Sequence, residues 1–146
     1  MHSLFFRLFV VLIIALAASG ALNSHAGALS DSEVQKVQRI IAAQLAAFAQ
    51  DDAEGAFETA TPAVQQAMGT STRFLALVRG AYPMVYRPRS VTFHKPGQDN
   101  DEVLQLVEIT DRNSKSWLAL FKLERQPDAS WRISGCAVSE NRWLST

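Results

Sequence analysis

Soft metal ligands and paired thiols are nearly missing from this sequence. Its 146 residues include one cysteine, Cys136, and three histidines, His2, His25 and His94. A single cysteine excludes a disulfide within the chain and any zinc site built from several cysteines. His2 and His25 precede a predicted cleavage point, which leaves His94 as the one histidine of the processed protein. We therefore predict no metal site and no bound cofactor.

The chain also has no formal net charge, because 14 lysines and arginines balance 14 aspartates and glutamates. A chain held to nucleic acid by electrostatic attraction needs a surplus of bases, so nucleic acid is not an expected partner. Charged residues make up 19% of the chain and hydrophobic residues 48%, which excludes a disordered, highly charged polypeptide. The length fits one globular domain that buries a core without disulfides.

Charge is scarcest at the N-terminus, where Arg7 is the only charged side chain among the first 30 residues. An apolar run follows from Leu8 to Leu22. Its fifteen residues span about 22 Å as a helix, short of the roughly 30 Å of a bilayer core. The small residues Ala26-Gly27-Ala28 complete the pattern of a cleaved secretory signal. Residues 1–28 are therefore predicted to be removed, so that a single domain of residues 29–146 acts in the periplasm or outside the cell, away from the membrane. The alternative is an uncleaved N-terminal anchor.

The processed chain opens with signals for helices. A capping box between Ser30 and Glu33 and a hydrophobic staple between Leu29 and Val34 mark the first start. Apolar residues at helical spacing predict that this helix runs to about Gln50. Three shorter helices are predicted next, the last of them ending with Gly80 as a left-handed C-cap. Their start signals are Asp51 or Asp52, Thr61-Pro62, and Thr70 or Ser71.

Beyond Gly80 the pattern changes to short extended segments. Pro83 and Pro88 predict an irregular, partly extended connection from Tyr82 to Arg89. Four strands are then predicted: Val91 to Lys95, Val103 to Thr110, Trp117 to Glu124, and Trp131 to Val138. The last three are joined by short turns and predict an antiparallel meander. The fold class is α+β, with N-terminal helices packed under a curved, four-stranded antiparallel sheet.

Two of the predicted strands carry apolar residues on both faces: Val103, Leu104, Leu106, Val107 and Ile109 in one, and Trp117, Leu118, Leu120 and Phe121 in the other. A sheet with helices on one face and water on the other should alternate between apolar and polar residues. Either the second face packs on another subunit, giving a homodimer through the sheet face, or the connection from Tyr82 to Arg89 folds over it. The sequence leaves both arrangements open.

Three segments of the chain resemble a known family. They are FAQDDAEGAF (Phe48 to Phe57), RFLALVRGAYPMVYRPRSVTF (Arg73 to Phe93) and LERQPDASWRISGC (Leu123 to Cys136). Through them, and over nearly all of the processed chain, the sequence is similar to domain-of-unknown-function family 4864, a group of bacterial and mostly exported proteins. The resemblance implies the conical layout of the nuclear transport factor 2-like (cystatin-like) fold. It implies no activity, because this fold hosts enzymes, ligand-binding proteins and assembly modules alike.

The sequence contains few groups of residues that could carry out catalysis. No glycine-rich phosphate loop of the P-loop or dinucleotide-binding type occurs. His94 and Cys136 could pair as base and nucleophile, but they lie on the first and last predicted strands. Cys136 is expected to be an inert, buried thiol, since its strand is apolar. Glu108, in mid-strand, is the best candidate for a carboxylate in a cone cavity, with a salt bridge to a neighbouring base as the alternative. No residue is predicted to be catalytic.

One segment concentrates positive charge. No acidic residue occurs between Glu58 and Asp99, a stretch that contains four arginines and a lysine. Arginine suits bidentate contact with carboxylates and phosphates, and tyrosine adds a flat surface with a polar tip. The candidate residues for binding a small anionic ligand or an acidic partner are Arg79, Tyr82, Tyr86, Arg87 and Arg89. Alternatively, these bases pair internally with Asp51, Asp52 and Glu54 and fix the connection to the helices.

These observations favour an exported domain that is a non-enzymatic ligand-binding or protein-interaction module. One alternative is a small cone-fold enzyme that transfers a proton, as isomerases and dehydratases do. The other is a self-associating structural domain. A titratable group with a raised pKa in an apolar pocket would favour the enzyme over the binding module.

Overall fold

The computed structural model describes residues 29–142, and the predicted signal peptide with its cleavage junction lies outside the described residues. The helices of this region are α1 Asp31–Ala49, α2 Ala53–Glu58, α3 Pro62–Met68, α4 Ser71–Ala81 and α5 Pro83–Tyr86. The strands are β1 Ser90–Phe93, β2 Gly97–Asp99, β3 Glu102–Thr110, β4 Ser116–Arg125 and β5 Trp131–Glu140. This order confirms the α+β class. Between residues 29 and 142, no helix has the length and apolar character needed to cross a membrane.

Helix α1 begins at its predicted cap. The Ser30 hydroxyl accepts a hydrogen bond from the Glu33 amide at 3.1 Å, which satisfies one free N–H group of the first turn. The second half of the predicted capping box does not form, because the Glu33 carboxylate accepts a hydrogen bond from the Trp131 indole at 2.6 Å. This bond ties the first turn of α1 to the first residue of β5. The buried side of α1 carries Val37, Ile41, Leu45 and Phe48.

The shorter helices also begin at predicted caps. The side chains of Asp52, Thr61 and Thr70 each accept a hydrogen bond from an amide in the first turn of α2, α3 and α4. The predicted C-cap at Gly80 is wrong, because α4 continues through it to Ala81. The left-handed glycine is instead Gly69, with φ 85°, at the end of α3.

The connection after α4 is more ordered than predicted. The prediction of an irregular, partly extended connection is wrong, because Pro83–Tyr86 forms a helical turn, α5, with the proline at its start. Met84 and Val85 of this turn are buried in the core. Helix α5 packs against α1, α4 and β3, so the connection lies on the helical side of the sheet.

The sheet is antiparallel throughout, with strand order β1-β3-β4-β5 and β2 paired beside β1 on the same edge of β3. The predicted meander of the last three strands is confirmed. The predicted count of four strands is wrong, because Gly97–Asp99 forms a fifth, short strand. It pairs through a tight turn in which Asn100 takes φ 56°, a conformation that asparagine tolerates. The arrangement is compatible with the conical layout implied by the family resemblance, which stays a prediction.

The helices cover one face of the sheet and leave the other face exposed. The inner face packs on the helices and carries fully buried residues of β3 and β4: Val103, Gln105, Val107, Ile109, Ala119, Phe121 and Leu123. The outer face carries Leu104, Leu106, Leu118, Leu120 and Ala137. Leu104 is 44% exposed and Leu120 is 39% exposed. Of the two arrangements that the sequence leaves open for this face, the one in which the connection from Tyr82 to Arg89 folds over it is wrong, because that connection packs on the inner side.

Candidate functional site

A cavity of about 290 Å³ opens between the helices and the last strand. Helices α1, α3, α4 and α5 form one wall, and β5 with Phe121 of β4 forms the other. None of the lining residues carries a charge. They are Gln44, Phe48, Ala60, Val64, Met68, Phe74, Leu77, Val78, Tyr82, Val85, Phe121, Ile133, Ser134, Gly135, Cys136 and Val138.

The cavity begins where β5 changes register. Ile133 is held against the helical layer, since its amide donates to the Thr59 carbonyl at 2.8 Å and its carbonyl accepts from the Thr61 amide at 3.0 Å. A β-bulge follows, in which Ser134 and Gly135 together span one step of the β4 register. A bulge bends its strand and re-aims the side chains beyond it. From this point β5 is no longer bonded to the helical layer, and the cavity lies in the space between them.

Small side chains keep this space open. Ser134, Gly135 and Cys136 follow one another along the strand and all border the cavity. Gly135 is paired with Lys122 of the outer face, whereas Cys136 is paired with Phe121 of the inner face. Of these three residues, Cys136 is therefore the one whose side chain the register places on the cavity side.

Few polar atoms border the cavity. The Gln44 amide donates to the Thr59 hydroxyl at 2.9 Å, and that hydroxyl donates to the Ala56 carbonyl at 2.6 Å, so the glutamine is fixed within the core. The Ser134 hydroxyl donates to the Lys122 carbonyl at 3.2 Å. At the mouth, Tyr82 is 40% exposed. Gln44, Ser134 and Tyr82 thus supply hydrogen-bonding groups at the edge of an otherwise apolar surface.

Cys136 faces this cavity, which corrects the prediction of a thiol buried in the strand. The residue has exposed surface, yet the surrounding protein atoms desolvate its sulfur. Desolvation raises the pKa of the Cys136 thiol to about 12, because burial disfavours the charged thiolate. At neutral pH the thiol therefore stays protonated and is a poor nucleophile.

The five predicted binding residues do not form one site. Arg79, Tyr86 and Arg87 converge on Asp51, the left-handed residue after α1 with φ 56°. The Tyr86 hydroxyl donates to this carboxylate, Arg87 Nη2 lies 3.1 Å from its Oδ2, and Arg79 Nη1 lies 3.9 Å from its Oδ1. Arg87 Nε also donates to the Ala49 carbonyl at 3.2 Å, at the C-terminal end of α1. The internal pairing considered as the alternative is formed here with Asp51.

The other two candidates lie elsewhere. Arg89 donates from Nη1 to the Ser114 hydroxyl at 2.9 Å, near the turn between β3 and β4. Tyr82 borders the cavity. Of the remaining acids considered as partners, Asp52 caps α2 and Glu54 accepts a hydrogen bond from the Ser71 hydroxyl. Anion binding by the segment stays a prediction, and the arginines nearest Asp51 already have a carboxylate between them.

The two candidate groups for proton transfer lie outside the cavity. Glu108 shares the outer face with Leu104 and Leu106, so of the two placements considered for it the one in a cone cavity is wrong. Its carboxylate lies 3.0 Å from Nε2 of His94, a base of the adjacent edge, in agreement with the alternative of a pair with a neighbouring base. Within residues 29–142, no group of three or more histidine, cysteine or acidic side chains is placed to hold a metal ion.

Sequence reasoning did not find the cavity lining. Two signals were present. Gln44 interrupts the apolar stripe of α1, and the small residues from Ser134 to Cys136 interrupt a strand that begins with the large Trp131. Neither signal shows where an opposing wall lies, because the bulge and the parallel bridge of Ala60 with Ile133 are tertiary features.

Fold and site together define an α+β domain with an uncharged cavity between its helices and the edge strand β5. The chain belongs to domain-of-unknown-function family 4864, which matches residues 30–146. This match confirms the resemblance carried by the three segments of the sequence. No curated protein matches the chain.

Proposed function

We propose that this protein is an exported, non-enzymatic domain that binds a small, largely apolar molecule in the cavity between the helices and β5. The observation that carries the proposal is the lining, in which sixteen residues border about 290 Å³ without a single charged side chain. Binding pockets of this kind are concave and mostly apolar, with a few polar groups that orient the ligand. Gln44, Ser134 and Tyr82 are suited to that orienting role.

The size of the cavity restricts the ligand class. An apolar cavity of roughly 150 Å³ accepts benzene, and common ligand pockets begin near about 300 Å³. A volume of about 290 Å³ therefore suits one or two fused rings, or a short branched chain, with a single polar group. Each methylene buried there contributes about 0.8 kcal/mol to binding.

The placement of titratable groups supports binding rather than catalysis. Proton transfer in a cone cavity needs a carboxylate or an imidazole positioned beside the substrate. The lining contains Cys136 and Tyr82 as its titratable side chains, so Cys136 meets the criterion of a titratable group with a raised pKa in an apolar pocket. A thiol with a pKa of about 12 nevertheless stays protonated at neutral pH and serves neither as a general base nor as a nucleophile, so this group does not supply the chemistry that the enzyme alternative needs. The carboxylate of Glu108 and the imidazole of His94 lie together on the outer side of the sheet.

The test uses 1-naphthol as the probe, because it is bicyclic, uncharged and carries one hydroxyl. We expect isothermal titration calorimetry to show one site with Kd on the order of 100 µM or tighter, at about 0.5 kcal/mol per non-hydrogen atom. Two variants fill the cavity from opposite walls, Cys136→Phe from β5 and Val64→Phe from α3. Each should weaken binding at least tenfold.

A matched control adds the same ring elsewhere. Ala42 lies on the exposed side of α1 and outside the cavity, so Ala42→Phe should bind the probe as the wild type does. Circular dichroism and the Tm of each variant check that the fold is kept. Equal affinity in wild type and both cavity-filling variants, or no binding by the wild type, contradicts the proposal.

Export has a separate test. N-terminal sequencing of protein purified from cells that express the full chain should begin at Leu29, after the Ala26-Gly27-Ala28 junction. Recovery of Met1 on membrane-bound protein contradicts this part of the proposal and leaves the cavity proposal untouched.

A further inference from the structure

One hydrogen-bonding atom at the cavity has no partner in the part of the chain that the structure describes. Gln44 lies on the buried side of α1, is 4% exposed and borders the cavity. Its Nε2 donates to the Thr59 hydroxyl at 2.9 Å, whereas its Oε1 accepts no hydrogen bond from residues 29–142. We infer that Oε1 accepts a hydrogen bond from the ligand, which is an uncharged, apolar molecule with a hydroxyl or N–H group. This inference rests on the proposed function of the cavity.

The neighbouring hydroxyl fixes which end of the Gln44 amide faces it. Thr59 has one hydroxyl hydrogen, which it donates to the Ala56 carbonyl at 2.6 Å. The Thr59 oxygen is then only an acceptor, so the amide places its NH2 group, and not its carbonyl, against Thr59. Turning the amide over would bring two oxygens together with no hydrogen between them. The hydrogen bonds therefore direct Oε1 away from Thr59.

The free oxygen opens onto the cavity. Within residues 29–142, every side-chain nitrogen or oxygen that is shut off from solvent-sized space has a hydrogen-bond partner. Because Oε1 has none, it is not shut off and contacts accessible space. Gln44 is almost fully buried, and the space that it borders is the cavity. A donor that enters the cavity thus makes a bond to Oε1 that the described protein groups do not supply.

A second acceptor borders the cavity. The Ser134 hydroxyl donates its one hydrogen to the Lys122 carbonyl, so its oxygen offers only lone pairs to a ligand. Because none of the lining residues is charged, a charged ligand would lose its hydration without a compensating partner. The lining therefore suits an uncharged donor on an apolar body, the combination found in phenols, alcohols and indoles.

The donor group of the ligand should lie at the inner end of the cavity. Thr59, which holds Gln44, also accepts from the amide of the buried Ile133 through its backbone carbonyl at 2.8 Å. Tyr82, at the mouth, is 40% exposed. A ligand that bonds to Gln44 therefore places its hydroxyl or N–H group inward and its apolar part toward the mouth.

The first test compares ligands of similar shape that differ in one hydrogen-bonding group. 1-Naphthol donates, 1-fluoronaphthalene has nearly the same shape and no hydrogen to donate, and 1-methoxynaphthalene accepts without donating. By isothermal titration calorimetry, the wild type should bind 1-naphthol about fivefold or more tightly than either of the others, because they leave a buried acceptor unpaired. Equal Kd values for 1-naphthol and 1-fluoronaphthalene overturn the inference. So does a Kd for 1-methoxynaphthalene equal to that for 1-naphthol, which would assign the ligand contact to the second Nε2 hydrogen of Gln44.

Gln44→Met removes the amide and keeps an unbranched side chain of similar length. In this variant 1-naphthol should lose its preference, so that its Kd lies within about twofold of that of 1-fluoronaphthalene or above it. Gln35→Met is the matched control, because it makes the same change on the exposed side of α1 and outside the cavity. It should keep the wild-type preference. A Gln44→Met variant that keeps the preference overturns the inference.

A second pair of variants leaves Gln44 in place and keeps the test decisive if Gln44→Met fails to fold. Thr59 is a positioning residue, since it holds the amide without lining the cavity. Thr59→Val keeps the shape and removes the hydroxyl, so the amide is free to turn and the preference for 1-naphthol should fall about threefold or more. Thr59→Ser keeps the hydroxyl and should keep the preference. An unchanged preference in Thr59→Val overturns the assigned orientation.

The ligand series also separates this inference from the proposed function. If the wild type binds none of the three naphthalenes, the proposed function itself is contradicted, and this inference is overturned with it. If the wild type binds all three with the same Kd and the cavity-filling variants weaken all three, the cavity is a binding site and only the role of Gln44 Oε1 is contradicted.

Discussion

The two ends of β5 meet the helical layer in opposite ways. At its start, Trp131 and Ile133 are 2% and 4% exposed. The Trp131 indole donates to Glu33 of α1, and Ile133, which borders the cavity at its inner limit, forms backbone hydrogen bonds with the segment around Ala60. Beyond the bulge, Cys136 and Val138 border an open cavity. One strand thus closes the interior at one end and leaves it open at the other.

This difference separates the part of the domain that is fixed by buried contacts from the part that contains the cavity. The closed end joins the first turn of α1, the segment after α2 and the first residues of β5 through buried side chains and backbone hydrogen bonds. The open end contributes the small residues Ser134, Gly135 and Cys136, none of which is fully buried. A pocket can exist there because the fold is already secured at the closed end.

The largest expected effect comes from breaking the closed end. Trp131→Ala removes a buried ring and the indole donor to Glu33, and should lower the free energy of unfolding by about 3–5 kcal/mol. For a domain of this size, the Tm should fall by more than about 10 °C. Thermal unfolding followed by circular dichroism measures the change.

Val138→Ala is the matched control at the open end. Because Val138 borders the cavity and is only half-buried, its truncation should cost about 1 kcal/mol. A loss equal to that of Trp131→Ala would contradict the contrast between the two ends.

The next effect is a loss of stability in acid. The hydrogen bond from Trp131, followed by the bond and charge of Lys36 and the charge of Arg125, holds the pKa of Glu33 below its ordinary value of 4.5. The ionised carboxylate therefore contributes stability that is complete above pH 4.5 and is lost as the pH falls through the folded-state pKa. Urea unfolding at pH 6 and at pH 3.5 should show this loss at the closed end.

Two substitutions at the same position sharpen the test. Glu33→Gln keeps an oxygen that accepts from Trp131 but has no charge to titrate, so its loss of stability on acidification should be smaller than that of the wild type. Glu33→Ala removes the acceptor and should be weakened at both pH values. An identical acid loss in Glu33→Gln and wild type contradicts the role of this carboxylate.

A smaller effect is expected at Asp51, where Arg79 and Arg87 meet outside the core. The side chains of Arg87 and Asp51 are 42% and 45% exposed, and exposed ion pairs contribute at most about 1 kcal/mol each. Replacing both Arg79 and Arg87 by Gln should therefore lower the Tm by only a few degrees. A drop of more than about 10 °C would show that these contacts are as important as those of Trp131.

The smallest effect is expected at the open end itself. Cys136→Ser should change the free energy of unfolding by about 0.5 kcal/mol or less, because the thiol borders the cavity and not the packed core. In the wild type, a thiol pKa of about 12 predicts slow alkylation by iodoacetamide at pH 7.5 and a rate that rises about tenfold per pH unit. Alkylation at pH 7.5 as fast as in urea-unfolded protein would contradict the desolvated placement of Cys136.

Local signals made much of the fold predictable. The side chains of Ser30, Thr61 and Thr70 cap helices because their oxygens accept from nearby amides, which depends only on a few neighbouring residues. The strands from β3 to β5 were predictable for the same reason, since short turns join them. The prediction failed at Pro83, because a proline is compatible both with an extended segment and with the first position of a helix. The helix forms here, and it buries Met84 and Val85 in the core.

The candidate site depended on contacts that local patterns do not contain. Arg87 and Asp51 are 36 residues apart in sequence, and only the packing of α5 against α1 brings them together. Parity along β3 left Glu108 on either face, and the position of the helices decides that it lies outside. The cavity needs both the β5 bulge and the helices opposite it, so composition alone could not predict it.

Methyl-group NMR with added 1-naphthol tests the binding of an apolar molecule at the open end most directly. The account predicts concentration-dependent shifts at the cavity methyls of Leu77, Val78, Val85 and Val138, and none at Leu104, Leu106 and Leu120 of the outer face. The core methyls of Val37 and Ile41, fully buried beyond the cavity lining, should also stay unchanged. Shifts confined to the outer-face leucines, or no shifts at all, would contradict it.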